Sequence, residues 1–254
     1  MIIQYASDIH IEHVSNRLFL SENPLRPVAE VLVLAGDIMP LREMDDHKDF
    51  VQFLADHWKT VVWVPGNHEF YGMEIEKSKI NGVEKIKPNV LLCNCAVVEI
   101  DDISIVTATL WGKISHVNKF LMEKSLNDFE KISYNGKPLT VNKFNALHTA
   151  DKDFLKSSLT EISNNKRKVI AVTHHVPTLK NYPSKYNDNP LNEAFVSNFE
   201  STVNDVLPSY WIYGHHHENV QNFLVNDCYF LTNQLGYVEA DEHLRFKPSL
   251  TFNV

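Results

Sequence analysis

An α/β fold is the class that this sequence of 254 residues predicts. Short apolar runs rich in Val and Ile alternate with stretches of helical periodicity, and such runs are typical of parallel strands buried on both faces. Hydrophobic residues make up 44% of the chain, while Gly and Pro number only 8 and 11. These observations indicate a globular sandwich with crossover connections and exclude a disordered or fibrous chain.

The strands follow from the apolar runs. Five runs that end abruptly in polar residues cover residues 2–6, 31–35, 61–64, 168–172 and 210–213. Further strands are predicted at 90–100, 103–111, 228–232 and 250–254. Continuous apolar runs of this length predict strands in the interior of a sheet.

Three helical regions lie between the strands. Asp45 or Asp46 can cap a helix that carries Phe50, Phe53, Leu54 and Trp58 on one face. A second helix is predicted from the apolar residues Leu191, Phe195, Phe199, Val203 and Val206, and it would end at Pro208. The stretch 113–163 is predicted to be mostly helical and to form an insertion or lobe.

Charge and cysteine content narrow the possible partners. The formal net charge of −8 disfavours binding to nucleic acid. No apolar run approaches the roughly 18 residues of a membrane span, and the first residues lack a basic signal segment. Cys93, Cys95 and Cys228 are an odd set, and we expect Cys93 and Cys95 to pack as alternate residues of one strand. We therefore expect a cytoplasmic protein without a membrane partner.

Each of the five core strands is followed directly by residues that can bind metal ions. The five segments are Ser7-Asp8-Ile9-His10, Gly36-Asp37, Gly66-Asn67-His68-Glu69, Thr173-His174-His175 and Gly214-His215-His216-His217. Ligands in α/β folds gather at the carboxyl ends of the strands. Because packing does not require a His or an Asp after every strand, the sequence predicts one site built from five loops.

The donor types in these segments are carboxylate, amide and imidazole, with no thiolate. That mixture suits Mn²⁺ best, with Fe or Zn²⁺ as alternatives. Seven ligands are too many for one catalytic ion, but with a bridging carboxylate they suit two ions about 3.5–4 Å apart. Two divalent ions beside only two aspartates would leave a positive patch that attracts a phosphate ester.

In order and approximate spacing the five segments resemble the D-x-H, GD, GNH(E/D), H and GHxH blocks of calcineurin-like metallophosphoesterases. The resemblance runs from residue 8 to residue 217. It implies a four-layer α/β/β/α sandwich and a single domain over residues 1–254. It implies that Asp8, His10 and His217 hold one metal ion, that Asn67, His174 and His215 hold the other, and that Asp37 bridges them. It also implies that His68 contacts the substrate and protonates the leaving oxygen.

This resemblance implies a phosphoesterase that hydrolyses a small phosphomonoester or phosphodiester by attack of a metal-bridging hydroxide. A Ser/Thr protein phosphatase-like activity is one alternative, but Gly36-Asp37-Ile38-Met39-Pro40 lacks the basic residues of the corresponding block. A non-catalytic scaffold is the other, and it is disfavoured because none of the ligands is missing. The oligomeric state is left open.

The roles of four motif residues are not settled by their positions in the sequence. Either His174 or His175 could be the ligand, and the family's use of the first favours His174. His216 lies between two ligands and is expected to point away. Glu69 could orient His68 or cap the segment that follows.

Substrate contacts are expected from loops that follow the ligand strands. The candidates are Tyr71, His175, Tyr182 and Tyr186. The two tyrosines at 182 and 186 could stack on a base or aryl group, with Lys185 near the phosphate, or could merely pin a Pro-bounded loop.

Overall fold

Two six-stranded sheets form the centre of the computed structural model, which describes residues 1–76, 81–163, 167–199 and 208–254. The first sheet contains β1 (Ile2–Ala6), β2 (Val31–Ala35), β3 (Thr60–Val64), β4 (Gly82–Lys87), β5 (Val90–Asn94) and β14 (Thr251–Asn253). Their spatial order is β14-β1-β2-β3-β5-β4. The four inner strands are parallel, and the edge strands β14 and β4 are antiparallel to them.

The second sheet has the same plan. It contains β6 (Ala96–Ile100), β7 (Ile103–Ala108), β10 (Lys168–Thr173), β11 (Tyr210–Ile212), β12 (Phe223–Val225) and β13 (Cys228–Leu231). Their spatial order is β12-β13-β11-β10-β7-β6. The inner strands β13, β11, β10 and β7 are parallel, and the edges are antiparallel. Both sheets therefore present the carboxyl ends of several parallel strands along one edge.

The two sheets pack face to face through an apolar core. Ile3 and Val62 of the first sheet lie in one cluster with Ile105 and Ile170 of the second, and all four side chains are fully buried. Because successive side chains of a strand point to opposite faces, the alternate residues of each strand are left for an outer layer.

Helices cover both outer faces. The helix α2 (Lys48–His57) packs its Leu54 into a cluster with Leu32 of the first sheet, together with residues of α1 (Val14–Glu22). On the second sheet, α5 (Val141–Ser163) packs Leu155 and Leu159 against Trp211. The arrangement is helix, sheet, sheet, helix, so the predicted four-layer α/β fold is confirmed.

The stretch 113–163 contains three helices and a small ribbon. The helices are α3 (Lys119–Ser125), α4 (Asp128–Lys131) and α5, and the ribbon pairs β8 (Ser133–Tyr134) with β9 (Lys137–Pro138). The strand β8 also forms a bridge from Ser133 to Glu74, so the ribbon is tied to the segment that follows the first sheet's third strand. No helix in the described part of the chain is long and apolar enough to cross a membrane.

The strand predicted at 90–100 is in fact two strands in different sheets. Cys95 separates β5 from β6 and has a positive φ of 47°, and the chain passes there from the first sheet to the second. The prediction that Cys93 and Cys95 are alternate residues of one strand is therefore wrong. Both are free thiols, as is Cys228, and Cys93 is buried while Cys95 is half-buried.

The helix predicted from Leu191 onward is shorter than expected. The helix α6 spans only Asn192–Phe195, and Val196 instead forms an isolated bridge to Val176. That bridge ties the segment to the second sheet's outer side, where Phe199 is fully buried. The predicted core residues Val203 and Val206 lie outside the described residues.

Candidate metal centre and its cleft

Five of the seven predicted ligands lie on left-handed backbone just beyond the strand ends. Positive φ angles occur at Asp8 (54°), His10 (48°), Asp37 (55°), His215 (81°) and His217 (52°). Such a conformation costs about 1–3 kcal/mol per residue outside glycine, and it persists where the surrounding structure enforces it. The backbone of these loops is therefore shaped to aim side chains rather than to extend the strands.

The glycines of the motifs allow the loops to approach closely. A Cβ atom at Gly66 would collide with the side chains of Asp37 and His174. A Cβ atom at Gly214 would collide with the carboxylate of Asp8. The residue before each of these ligand segments must therefore be glycine for the side chains to converge.

One cluster of ligand atoms comes from Asp8, His10, Asp37 and His217. His10 Nε2 lies 3.0 Å from His217 Nε2 and 3.7 Å from Asp37 Oδ2, and His217 Nε2 lies 3.2 Å from Asp8 Oδ1. All four ligand atoms lie within 4.8 Å of one another. Asp8 and His10 are fully buried.

A second cluster lies on the other side of Asp37. His174 Nε2 is 3.3 Å from Asp37 Oδ1, 3.1 Å from Asn67 Oδ1 and 3.0 Å from His215 Nδ1. Asp37 thus faces the first cluster with Oδ2 and the second with Oδ1. A carboxylate placed in this way can bridge two cations.

The outward nitrogens of three imidazoles are already occupied. His10 Nδ1 contacts Glu12 Oε1 at 3.1 Å, His217 Nδ1 contacts Glu242 Oε2 at 2.6 Å, and His174 Nδ1 contacts the carbonyl of Ala35 at 2.9 Å. Each contact is to an acceptor, so the outward nitrogen donates and the inward Nε2 keeps its lone pair. Several lone pairs that converge in a buried site are suited to a cation.

The electrostatics of the two clusters follow from burial and from the aspartates. Burial works to lower the pKa of His174, but Asp37 and Asp8 raise it to about 9. Burial also opposes protonation of His217, yet Asp8 and Glu242 raise its pKa to about 10. The aspartates therefore create a negative potential in the site, and this potential favours positive charge there.

Asn67 is oriented by a residue that the sequence did not single out. Its Nδ2 donates to Asp128 Oδ1 at 2.8 Å and lies 3.1 Å from the Tyr71 hydroxyl, which itself donates to Asp128 at 2.8 Å. The amide oxygen is thereby turned towards His174. Burial raises the pKa of Asp128, which belongs to α4 and so brings the 113–163 stretch into contact with the site.

Glu69 ties two of the loops together. Its Oε1 accepts hydrogen bonds from Ile38 N at 2.8 Å and Trp63 Nε1 at 3.0 Å. Its Oε2 accepts from Asp37 N at 2.9 Å and Gly66 N at 2.7 Å. Burial, together with the negative charge of Asp37, raises the pKa of this carboxyl to about 7. Glu69 therefore clamps the loops rather than orienting the preceding histidine or capping the following segment.

His68 lies beside the first cluster with part of its ring open to the cleft. Its Nδ1 is 2.8 Å from Glu12 Oε1, and its Nε2 is 3.9 Å from Asp37 Oδ2 and 3.5 Å from the Tyr237 hydroxyl. Burial works to lower its pKa, but Asp37 and Glu12 raise it above the ordinary value. His68 Nε2 is thus placed next to the ligand clusters without belonging to either.

Of the neighbouring pair, His174 faces the site and His175 does not. His175 is fully buried, its Nδ1 lies 3.2 Å from the carbonyl of Thr109, and its ring packs against Trp111. Burial lowers its pKa to about 3. The predicted substrate contact by His175 is therefore not supported, because the ring lies behind the cleft wall.

A cleft of about 390 Å³ opens beside the two clusters. Tyr71, Tyr182 and Tyr186, which belong to the segments that follow Asn67-His68 and His174, line it. Tyr182 donates to Asn192 Oδ1 at 3.2 Å, and Tyr186 donates to the carbonyl of His216 at 3.0 Å. The two rings therefore border the cleft and also pin their own loop.

One further side chain differs from its expected position, and another lies as expected. Lys185 lies 2.6 Å from Glu218 in an ion pair and does not line the cleft. His216 points away from both ligand clusters, with its Nδ1 2.8 Å from Gln234 Nε2, but it borders the cleft. Sequence reasoning also passed over Glu12, Glu242 and Tyr237, which carry no motif of their own.

Comparisons with known proteins agree with this geometry. A family model described as calcineurin-like phosphoesterase matches residues 3–219. The chain is 30% identical over 274 residues to the uncharacterized protein L509 of Acanthamoeba polyphaga mimivirus, with 97% of this chain and 94% of that protein covered.

Two solved structures share the fold. The phosphopantetheinyl hydrolase PptH from Mycobacterium tuberculosis superposes with a TM-score of 0.71 at 17% identity, covering 99% of this chain and 95% of that one. A dimetal phosphatase from Danio rerio has a TM-score of 0.52 at 16% identity, covering 98% and 89%. Since the family model spans most of the sequence and all five ligand segments, we conclude that the chain belongs to the calcineurin-like phosphoesterase family.

Proposed function

We propose that the protein is a phosphoesterase that needs two divalent metal ions and hydrolyses a small phosphomonoester or phosphodiester. The observation that carries the proposal is the position of Asp37, whose two oxygens face two separate groups of ligand atoms. One ion would be held by Asp8, His10, Asp37 and His217, and the other by Asp37, Asn67, His174 and His215. The donor set favours Mn²⁺, with Fe or Zn²⁺ as alternatives.

The residues present fit two cations. Carboxylate oxygens and imidazole nitrogens converge in each group, and the second group adds the amide oxygen of Asn67. The carbonyl and carboxylate partners behind the rings fix their direction. Two bound ions would neutralise charge on the phosphoryl group and make a water acidic enough to act as nucleophile near neutral pH.

The chain's own contribution to the leaving group comes from His68. Its Nε2 borders the cleft and lies 3.9 Å from Asp37 Oδ2, beside the place where the ester would lie. A proton on that nitrogen can pass to the oxygen that leaves the phosphorus. His68 Nδ1 is held by Glu12 at 2.8 Å, so the ring presents Nε2 to the cleft.

The organic part of the substrate would occupy the remaining cleft. Tyr71, Tyr182 and Tyr186 supply aromatic walls there. An aryl group or a base could stack on such rings, which gives the site a means of selecting among small phosphate esters.

Metal content and turnover test this proposal together. We expect the wild-type protein, after loading with Mn²⁺ and removal of free ion, to hold about two ions per chain and to hydrolyse p-nitrophenyl phosphate or bis(p-nitrophenyl) phosphate. A chelator should abolish the activity. Elemental analysis that finds at most one ion per chain would contradict the two-ion site, and a loaded protein inactive on both esters would contradict the hydrolase.

The bridging role of Asp37 has its own variant. Asp37→Ala removes a ligand from both groups, so it should lower the content of both ions. Asp46→Ala removes an exposed aspartate of a neighbouring loop and should leave the metal content as in the wild type. If Asp37→Ala still holds two ions, Asp37 does not bridge them.

A further inference from the structure

Glu12 holds two histidines of the site with one atom. Its Oε1 lies 3.1 Å from His10 Nδ1 and 2.8 Å from His68 Nδ1. The opposite nitrogens of the same rings both face Asp37 Oδ2, at 3.7 Å for His10 Nε2 and 3.9 Å for His68 Nε2. The two imidazoles, with ring centroids 4.4 Å apart, are therefore clamped between two carboxylate oxygens.

The backbone around Glu12 is firmly held. Arg17 Nη1 donates to the carbonyls of Ile11 and Glu12 at 2.7 and 3.0 Å, and Ile11 N donates to Ile38 O at 3.0 Å. The Glu12 side chain is 13% exposed. A largely buried side chain on a firmly held backbone has little freedom, so it can fix the direction of the groups that it contacts.

We propose that Glu12 is a positioning residue that orients His10 for metal binding and His68 for proton donation at the same time. The proposal rests on the proposed function of the site. Both rings donate Nδ1–H to the same oxygen, so both must present Nε2 to the cleft. Without Glu12 each ring could turn over and place a carbon atom where its Nε2 now lies.

A purely stabilising role explains the contacts less well. Glu12 Oε2 is buried and has no hydrogen-bond partner among the described residues. A buried polar atom left without a partner costs about 1–3 kcal/mol, so stability alone would not favour this residue. The remaining alternative is that His10, Glu12 and His68, whose ligand atoms also lie together, bind an ion themselves.

The first test measures metal affinity, which does not depend on turnover. Glu12→Ala should weaken binding of one of the two Mn²⁺ ions by about 10–100-fold, the range found when a partner of a ligating histidine is removed. Glu12→Gln keeps an oxygen that can accept both N–H groups, so it should lose less. The matched control is Glu43→Ala, because Glu43 lines the same surface hollow as Glu12 but, among the described residues, forms an ion pair only with Arg42, at 3.0 Å.

The second test distinguishes the effect of Glu12 on His68 from its effect on His10 by comparing esters with different leaving groups. At saturating Mn²⁺, Glu12→Ala should lower kcat about 10–100-fold on an alkyl phosphate ester and much less on the p-nitrophenyl ester, whose leaving group needs no proton. In a His68→Ala background the further loss from Glu12→Ala should vanish, since the two residues act on one step.

The results that would refute the positioning role of Glu12 differ from those that would refute the proposed phosphoesterase function. Unchanged metal affinity in Glu12→Ala, equal loss on both esters or additive losses in the double variant would each refute it. A third ion that disappears with Glu12→Ala would show that Glu12 is a ligand instead. If the wild type binds two ions but hydrolyses neither ester, the function fails, and the metal titration still decides whether Glu12 orients His10.

Discussion

Glu69 provides the sharpest test of how the site is built, because its carboxylate is buried and accepts four hydrogen bonds. Glu69→Ala would remove all four acceptors at once. The donors are backbone N–H groups of the loops that carry Asp37 and Asn67, together with the indole of Trp63. None of these donors is exposed enough to find water without a local opening of the fold.

The expected loss of stability follows from the number of hydrogen-bond donors that lose their acceptor. At the low end of about 1 kcal/mol each, losing four partners costs about 4 kcal/mol of unfolding free energy. For a domain of this size about 1 kcal/mol shifts Tm by about 2–4 °C, so we expect a fall of about 8–16 °C. Glu69→Gln keeps one acceptor oxygen but turns an amide N–H₂ towards the other two donors, and it should fall between Glu69→Ala and the wild type.

Thermal unfolding of the metal-free protein is the measurement, because bound ions would add their own stabilisation. The control is Glu30→Ala, which removes a carboxylate that is 75% exposed and that, within the part of the chain described, pairs only with Lys59, at 3.3 Å. An exposed pair of this kind contributes at most about 1 kcal/mol. If Glu69→Ala unfolds at the same temperature as Glu30→Ala, the hydrogen bonds of Glu69 do not hold the two loops together.

Further variants address the site residue by residue. His68→Ala should keep both ions and lose about 10²–10⁴-fold in turnover, with a smaller loss on esters whose leaving groups have a low pKa; equal losses on p-nitrophenyl and alkyl esters would point to substrate positioning instead. His174→Gln should lose one ion per chain while His175→Gln keeps both, and elemental analysis distinguishes them. Replacing Tyr182 and Tyr186 together by Ala should raise KM for aryl or nucleotide esters without changing metal content, and an unchanged KM and substrate ranking would mean that the two rings only pin their loop.

The ligand groups could be predicted from the sequence because each ligand is covalently next to a strand. Parallel strands bring their carboxyl ends to one edge of a sheet, so Asp8, Asp37 and Asn67 must come together once β1, β2 and β3 pair. The choice between His174 and His175 could not be made in this way. It depends on which of two adjacent and identical rings the loop sends inward, and sequence spacing carries no information on that.

Residues that act through tertiary contacts left little signal of their role in the sequence, and Glu69 stands in a ligand motif without its position showing that it would tie two loops together. Glu12 and Glu69 are acidic residues beside motif histidines, and many acidic residues occupy such places without contacting anything. The passage of the chain between sheets at Cys95 was missed because the apolar pattern continues through it. Only the positive φ at that residue breaks the strand, and a cysteine is not a residue from which a left-handed turn would be expected.

Asp128, to which the sequence assigned no role, leads to the most specific prediction. It accepts from both the Asn67 amide and the Tyr71 hydroxyl at 2.8 Å, and it reaches the site from α4. Asp128→Ala frees the amide to rotate, so the ion held by Asn67 should bind about 10–100-fold more weakly, while the other ion keeps its affinity. A Mn²⁺ titration that resolves two affinities measures this, with exposed Asp153→Ala on α5 as the control. Equal weakening of both ions would show that Asp128 supports the fold as a whole, and no weakening would show that Asn67 needs no partner to face His174.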